Sequence, residues 1–168
     1  MTITTTNRIT LRKLTQNDAA FILELLNDPA FIRFIGDRNV RTLEDAANYL
    51  KGPLESYERN GFGLWMVENK VGIPLGICGL IKRETLPHVD IGYAFLPEFR
   101  SQGLAFEAAR ATLDFARDTL KISRVLAIVT PDNERSIRLL TKLGLKFERM
   151  IVMPNDEIEL KLFAIAFN

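Results

Sequence analysis

The stretch DIGYAFLPEFRSQGLAFEAARATLDFA, residues 90–116, changes its periodicity partway along. Its first seven residues read as a strand and its exit. From Leu104 the apolar spacing is helical: Leu104, Ala108, Ala111 and Phe115 share one face, with Ala109, Leu113, Ala116 and Leu120 beside it, which predicts a helix over 104–120. Between the two patterns lies Arg100-Ser101-Gln102-Gly103-Leu104-Ala105. A helix start leaves up to four N–H groups without intrahelical partners, and the macrodipole makes that end electropositive. Gly103 permits a close backbone approach, and Ala105 keeps the way clear. The amides of Ser101, Gln102, Gly103, Leu104, Ala105 and Phe106 are therefore a candidate nest for phosphate oxygens, with Arg100 either adding charge or holding the loop. An ordinary strand-to-helix turn would use the same residue types. Two other phosphate motifs are excluded. No G-x-x-x-x-G-K-[ST] run exists, and Gly92 and Gly103 are too far apart for a dinucleotide fingerprint.

Working outward, residues 8–14, RITLRKL, alternate as a strand does. Thr15 with Asp18 caps a helix through TQNDAAFILELLND, which Asp28-Pro29 breaks. A short amphipathic piece, AFIRFIG, follows. Thr42 with Asp45 repeats the capping pattern for LEDAANYLKGPLESYERNG, where Gly52-Pro53 predicts a kink or a break. FGLWMVEN, PLGICGLIKRE and HVDIGYAFL read as an antiparallel meander. After the 104–120 helix, SRVLAIVT is a continuous apolar run, hence a buried parallel strand. DNERSIRLLTKLG is a helix ended by Gly144, and KFERMIVMP and EIELKLFAIAF are two strands about a turn at Asn155-Asp156. This order predicts an α/β (α+β) fold: a mixed, mostly antiparallel sheet of about seven strands flanked by helices, in a single domain over 1–168.

Composition narrows the function classes. The 22 basic and 21 acidic residues leave a net charge of +1, so no nucleic-acid partner is expected. The 47% hydrophobic content suits an ordinary globular core. The lone cysteine, Cys78, cannot form an intramolecular disulfide and reads as a small buried apolar residue. No apolar run reaches a membrane span's length, and MTITTTNRITLRK has no secretory pattern, so the expectation is a cytoplasmic protein without a membrane partner.

RSQGLA matches R/Q-x-x-G-x-G/A, and here the chain resembles the GNAT superfamily of N-acetyltransferases. A second match lies downstream, where VTPDNERSIRLLTKLGLKFE fits N-x-x-S-x-x-L-x-x-K-x-G-[FL] at the family's spacing. The likeness runs from about Arg8 onward and is closest to the RimJ/RimL-like branch, which acetylates protein N-termini among other amines. It implies a splayed strand pair that takes acetyl-CoA as cosubstrate, with no metal. The pantetheine arm would lie beside Tyr93, Ala94, Phe95 and Leu96, and the pyrophosphate would rest on the 101–106 amides. Asn133 and Ser136 would reach the pantetheine region, or serve simply as helix N-cap and first-turn residue.

The implied reaction is acetyl transfer by direct attack of a neutral amine in a ternary complex, with a base for the amine and a donor for the thiolate. The family's usual donor tyrosine corresponds to Leu140, so Ser136 becomes the catalytic candidate. Asp90 is the favoured base, ahead of Glu84 and His88. Phe62, Trp65 and Tyr93 are candidates to line the acceptor pocket, against a plain core role. Asp37, Glu44 and Asp45 could attract a cationic amine, or form a solvated face. The expected partner is an amine-bearing small molecule or a protein N-terminus, the protein itself being a monomer or homodimer. Leu140 also leaves open a non-catalytic acyl-CoA-binding module.

Overall fold

The computed structural model describes residues 1–168. Its strands are β1 (Thr2–Thr5), β2 (Ile9–Lys13), β3 (Leu64–Asn69), β4 (Pro74–Ile81), β5 (Asp90–Phe95), β6 (Arg124–Val129), β7 (Lys146–Val152) and β8 (Glu159–Ala166). Its helices are α1 (Ala19–Leu26), α2 (Pro29–Phe34), α3 (Leu43–Asn60), α4 (Leu104–Asp118) and α5 (Glu134–Leu143). All eight strands join one sheet in the order β1-β2-β3-β4-β5-β6-β8-β7. Every neighbouring pair is antiparallel except β5 and β6.

Both capping boxes form as the sequence predicts. Thr15 starts a short 3-10 turn that leads into α1, and Thr42 starts α3. No break occurs at Gly52-Pro53: α3 runs as one helix across it. Pro53 removes one helix N–H, but Ala46, Leu50, Pro53 and Tyr57 are buried together, and that packing holds the helix through the missing bond. The eighth strand, β1, was not expected, because TITT shows no alternation to read. It forms by pairing with β2, Thr5 opposite Thr10. The last two strands also enter the sheet in reverse order. β8 carries the buried Leu162, Phe163 and Ala164, whereas β7 is exposed along most of its length. The more apolar strand takes the inner place and leaves β7 at the edge.

Helices cover both faces of the sheet. Ala108, Ala109, Leu113 and Ala116 let α4 sit close on one face, against Ile9, Leu11, Trp65, Val67, Cys78 and Leu80. On the other, α1 to α3 bury Ile22, Leu25, Leu26, Phe31 and Leu50 against Met66 and Ile77. Cys78 lies in the first core, where burial pushes its thiol up to about 12. No helix is long and apolar enough to cross a membrane.

Tyr57 joins α3 to the sheet through a buried phenol. Its hydroxyl donates to the Leu64 carbonyl and accepts from the Leu14 N–H at 3.0 Å. Burial, the main cause, pushes this phenol up to about 12 from the usual 10. A phenol raised in the folded state stabilises fully below its unfolded pKa and loses that contribution as pH rises through the folded one. Stability should therefore fall between pH 10 and 12. Tyr57→Phe should lower the unfolding free energy by about 1–3 kcal/mol, since two buried backbone groups lose their partner. It should also flatten the alkaline fall. Urea unfolding at neutral and alkaline pH measures both effects.

Candidate active site

The parallel strands β5 and β6 are joined at a single residue pair, Asp90 with Leu126. There the Leu126 N–H donates to the Val89 carbonyl at 2.8 Å. Beyond this point the strands part. Backbone polar groups of successive strand residues face opposite edges, so Tyr93, like Val89, presents its N–H and C=O to the gap. Ala94 and Leu96 turn theirs toward β4, where the Leu96 N–H donates to the Leu75 carbonyl at 3.1 Å. Of the run expected beside pantetheine, Tyr93 thus supplies free backbone. The Phe95 carbonyl is occupied by Arg100, and the Phe95 and Leu96 side chains are buried in the two cores. On the far rim β6 pairs with β8 instead, Val129 opposite Lys161. The result is a slot through the sheet.

The RSQGLA loop lies next to this slot. Ser101 and Gly103 both adopt left-handed backbone, with φ of 62° and 78°. None of the N–H groups from Ser101 to Phe106 donates to a protein acceptor, and the first bond of the α4 ladder is Glu107 N–H to the Gly103 carbonyl. The loop is braced from outside. Arg8 donates to the Gln102 carbonyl at 2.9 Å and to Glu107 at 2.7 Å, and the Gln102 amide donates to the Glu98 carbonyl. The Arg100 guanidinium donates to the buried Asp28 carboxylate and, at 3.1 Å, to the Phe95 carbonyl. Of its two expected roles, Arg100 takes that of holding the loop. Free amides at a helix start, fixed by a rigid scaffold, suit a pyrophosphate. A groove of about 630 Å³ runs on from Gly103 along α4, past Phe106, Arg110 and Lys142. The Lys142 ammonium lies 4.4 Å from the centre of the Phe106 ring. The cations there stand beside the acids Glu107, Asp114 and Asp118.

Ser136 comes to the slot from α5. Asn133 caps that helix by accepting from the Ser136 N–H at 3.2 Å, and the Ser136 hydroxyl meets the Tyr93 phenol at 2.6 Å. Burial pushes this phenol well above its usual value, so it stays protonated. Leu140, one turn further on, is buried in the core. Sequence reading placed Tyr93 by its backbone or as a pocket wall, and missed the pairing of its side chain with Ser136. No local motif carries that contact.

Asp90 sits on the other face of the sheet. Ile91 and Phe95 belong to the α4 core, so the alternating residues Asp90, Gly92 and Ala94 face α1 to α3. Asp90 is only 1% exposed and receives Arg83 at 2.9 and 3.4 Å. Burial pushes its carboxyl up, while Arg83 pulls it down. Asp90 and Ser136 therefore do not touch: Asp90 lies at the closed end of the slot, on the face opposite Ser136. Thr130, also missed in the sequence, follows β6 at the rim. Its hydroxyl is buried with no hydrogen-bond partner, a state that costs about 1–3 kcal/mol unless a partner arrives.

The remaining candidates fall elsewhere. Glu84 and His88 are exposed, and His88 precedes the point where β5 and β6 are still joined. Trp65 is fully buried, edge-on to Phe115 with ring centroids 5.4 Å apart, and Phe62 is buried in the same core, so neither lines an acceptor pocket. α2 is tied to both sides of the slot. Its N-cap Asp28 holds Arg100 on the β5 side, and Arg33 meets Asp132, between β6 and α5, at 3.4 Å.

Residues 8–146 match the family model described as an acetyltransferase (GNAT) domain. The chain is 32% identical over 158 residues to the uncharacterized protein YkkB of Bacillus subtilis, covering 91% of this chain and 90% of that one. It is 29% identical over 101 residues to the ribosomal protein uS5 alanine N-acetyltransferase of Escherichia coli, covering 58% and 52% of the two chains. Its fold matches RimL, a ribosomal L7/L12 alpha-N-protein acetyltransferase solved with coenzyme A, at a TM-score of 0.85 and 15% identity, over 99% of this chain and 98% of that one. The slot, the free amides beside it and these likenesses agree: the chain belongs to the GNAT family of acetyltransferases.

Proposed function

We propose that the protein acetylates a primary amine, protein N-termini being among the acceptors, by direct attack in a ternary complex. The slot between β5 and β6 carries this reading, with unpartnered amides on one side and the Tyr93–Ser136 hydroxyl pair on its wall. Acetyl-CoA supplies the acetyl group as an activated thioester. The amides of Ser101 to Phe106 hold the pyrophosphate, and the Tyr93 backbone pairs with the pantetheine arm.

The amine enters from the face that carries Asp90, and the thiolate leaves on the face that carries Ser136. As the N–C bond forms and the C–S bond breaks, the amine proton passes toward Asp90. The Ser136 hydroxyl donates to the sulfur and is backed by the Tyr93 phenol, which burial keeps protonated. Opposite faces for base and acid match the opposite positions of the incoming and departing groups. A carboxyl raised by burial is also a stronger base near neutral pH than an exposed one.

Three outcomes test this reading. Saturating CoA should raise the Tm of the parent, since ligand at a hundred times its Kd stabilises by about 2.7 kcal/mol. In Gly103→Glu, which puts charge and bulk among the amides, the shift should vanish while the protein stays folded. Ser136→Ala should lower kcat by about 100-fold, the low end for loss of a proton donor, and Tyr93→Phe by less. Equal kcat in parent and Ser136→Ala would remove Ser136 from the mechanism. The pH profile of kcat/KM should rise through a carboxyl titrating above the ordinary aspartate value, and Asp90→Asn should abolish that limb. Circular dichroism distinguishes a lost base from a lost fold.

A further inference from the structure

We infer that the acceptor amine carries a carboxylate, held by the guanidinium of Arg38 on the acceptor side of the slot. The inference rests on the acetyl-transfer reading above and adds the class of acceptor.

The Asp90 face of the slot leads outward through charged groups. Arg83 lies on Asp90, and Tyr49 of α3 lies where both Arg83 and Arg38 act on its phenol. Arg83 is neutralised by Asp90. Arg38 has no carboxylate partner and makes no side-chain hydrogen bond to the protein, although the segment bearing it is firmly built. Gly36 and Asn39 adopt φ of 128° and 57°, Asp37 accepts from the Asn39 N–H at 2.8 Å, and Arg41 bonds Asp37, the Val40 carbonyl and Asn27. The Arg38 guanidinium folds back over Gly36, with one nitrogen 3.2 Å from where a Cβ would stand. The segment thus presents one cation without an anion.

The acids nearby are already engaged. Asp28 pairs with Arg100, Asp37 with Arg41, Asp90 with Arg83 and Asp132 with Arg33, while Asp45 caps α3. Glu44 stands in the first turn of α3, where the helix dipole favours it, and Glu84 lies next to Arg83 in the chain. A polyamine would bring two or more cations to a face that already holds an unmatched one. A carboxylate would complete Arg38, because guanidinium and carboxylate match as a two-pronged pair. Thr130, with its unpartnered hydroxyl, faces the same side of the sheet. Asp37, Glu44 and Asp45 therefore do not serve as amine attractants.

The experiment follows CoA release with matched acceptors: alanine against alaninamide, C-terminally amidated peptides beginning Ala-Glu against Ala-Gln, and spermidine. The carboxylate member of a pair should have the higher kcat/KM by about tenfold or more, the usual worth of a charge-assisted pair. The pair that shows this separates a free amino acid from a peptide N-terminus as the source of the carboxylate. Arg38→Gln should bring the favoured acceptor down toward its carboxylate-free partner by raising KM, and Arg38→Lys should restore part of the difference. Equal rates within both pairs, a preference for spermidine, or discrimination that survives Arg38→Gln would overturn the inference. If CoA raises the Tm but no amine turns over, the acceptor class fails while the cofactor reading stands. If CoA gives no shift, the acetyl-transfer reading fails and takes this inference with it.

Discussion

A sheet normally binds its strands edge to edge, because backbone N–H and C=O groups left unpaired are costly. Here the central parallel pair stops after Asp90 and Leu126, and the rest of the molecule is arranged around that interruption. β6 finds its partner on the other side, in β8, and β5 remains bonded to β4. Helices on both faces hold the two halves at their separation. The open edge of Tyr93 is tolerable because a ligand with its own amides can supply the missing bonds. The same exposure would be an aggregation hazard on an outer strand.

The interruption also divides the chemistry into two compartments. On the α4 face the slot itself is lined by uncharged donors: loop amides, a serine and a phenol. On the α1 to α3 face the groups are ionic, and the acids there are used mainly to hold structure. Asp28, Asp45 and Asp90 each fix a loop or a helix start. In the proposed reaction a long anionic cosubstrate and an amine acceptor would thus meet different environments.

Much of this plan is legible in the chain before it folds. The Thr15 and Thr42 caps, the meander and the RSQGLA junction depend on neighbours within a few residues, so spacing alone reveals them. Gly103 is in this class, since the left-handed turn ahead of α4 is a local demand. What stayed hidden depends on distant parts of the chain. The Tyr93–Ser136 contact joins residues 43 apart, and the Arg100–Asp28 pair joins residues 72 apart. β1 has no pattern of its own and exists because β2 offers it an edge. α3 survives Gly52-Pro53 through burial that a local rule does not count. The strand order at the end of the sheet follows a contest between β7 and β8 for the interior, which neither segment decides alone.

The two ties of α2 differ in kind. The Asp28–Arg100 pair has side chains 6% and 25% exposed, whereas the Arg33–Asp132 pair has 67% and 63%. An exposed pair is worth about 0–1 kcal/mol and weakens with salt, while breaking a buried one leaves an uncompensated charge. The helix is therefore held firmly at one end and weakly at the other. Asp28, its N-cap, is bound to Arg100 of the RSQGLA loop, and Arg33 reaches Asp132 in the turn before α5. Ionic strength acts on the Arg33 tie and barely on the Asp28 one. Salt would then loosen one end of α2 and leave the other in place, in a protein whose net charge alone gives no reason to expect it.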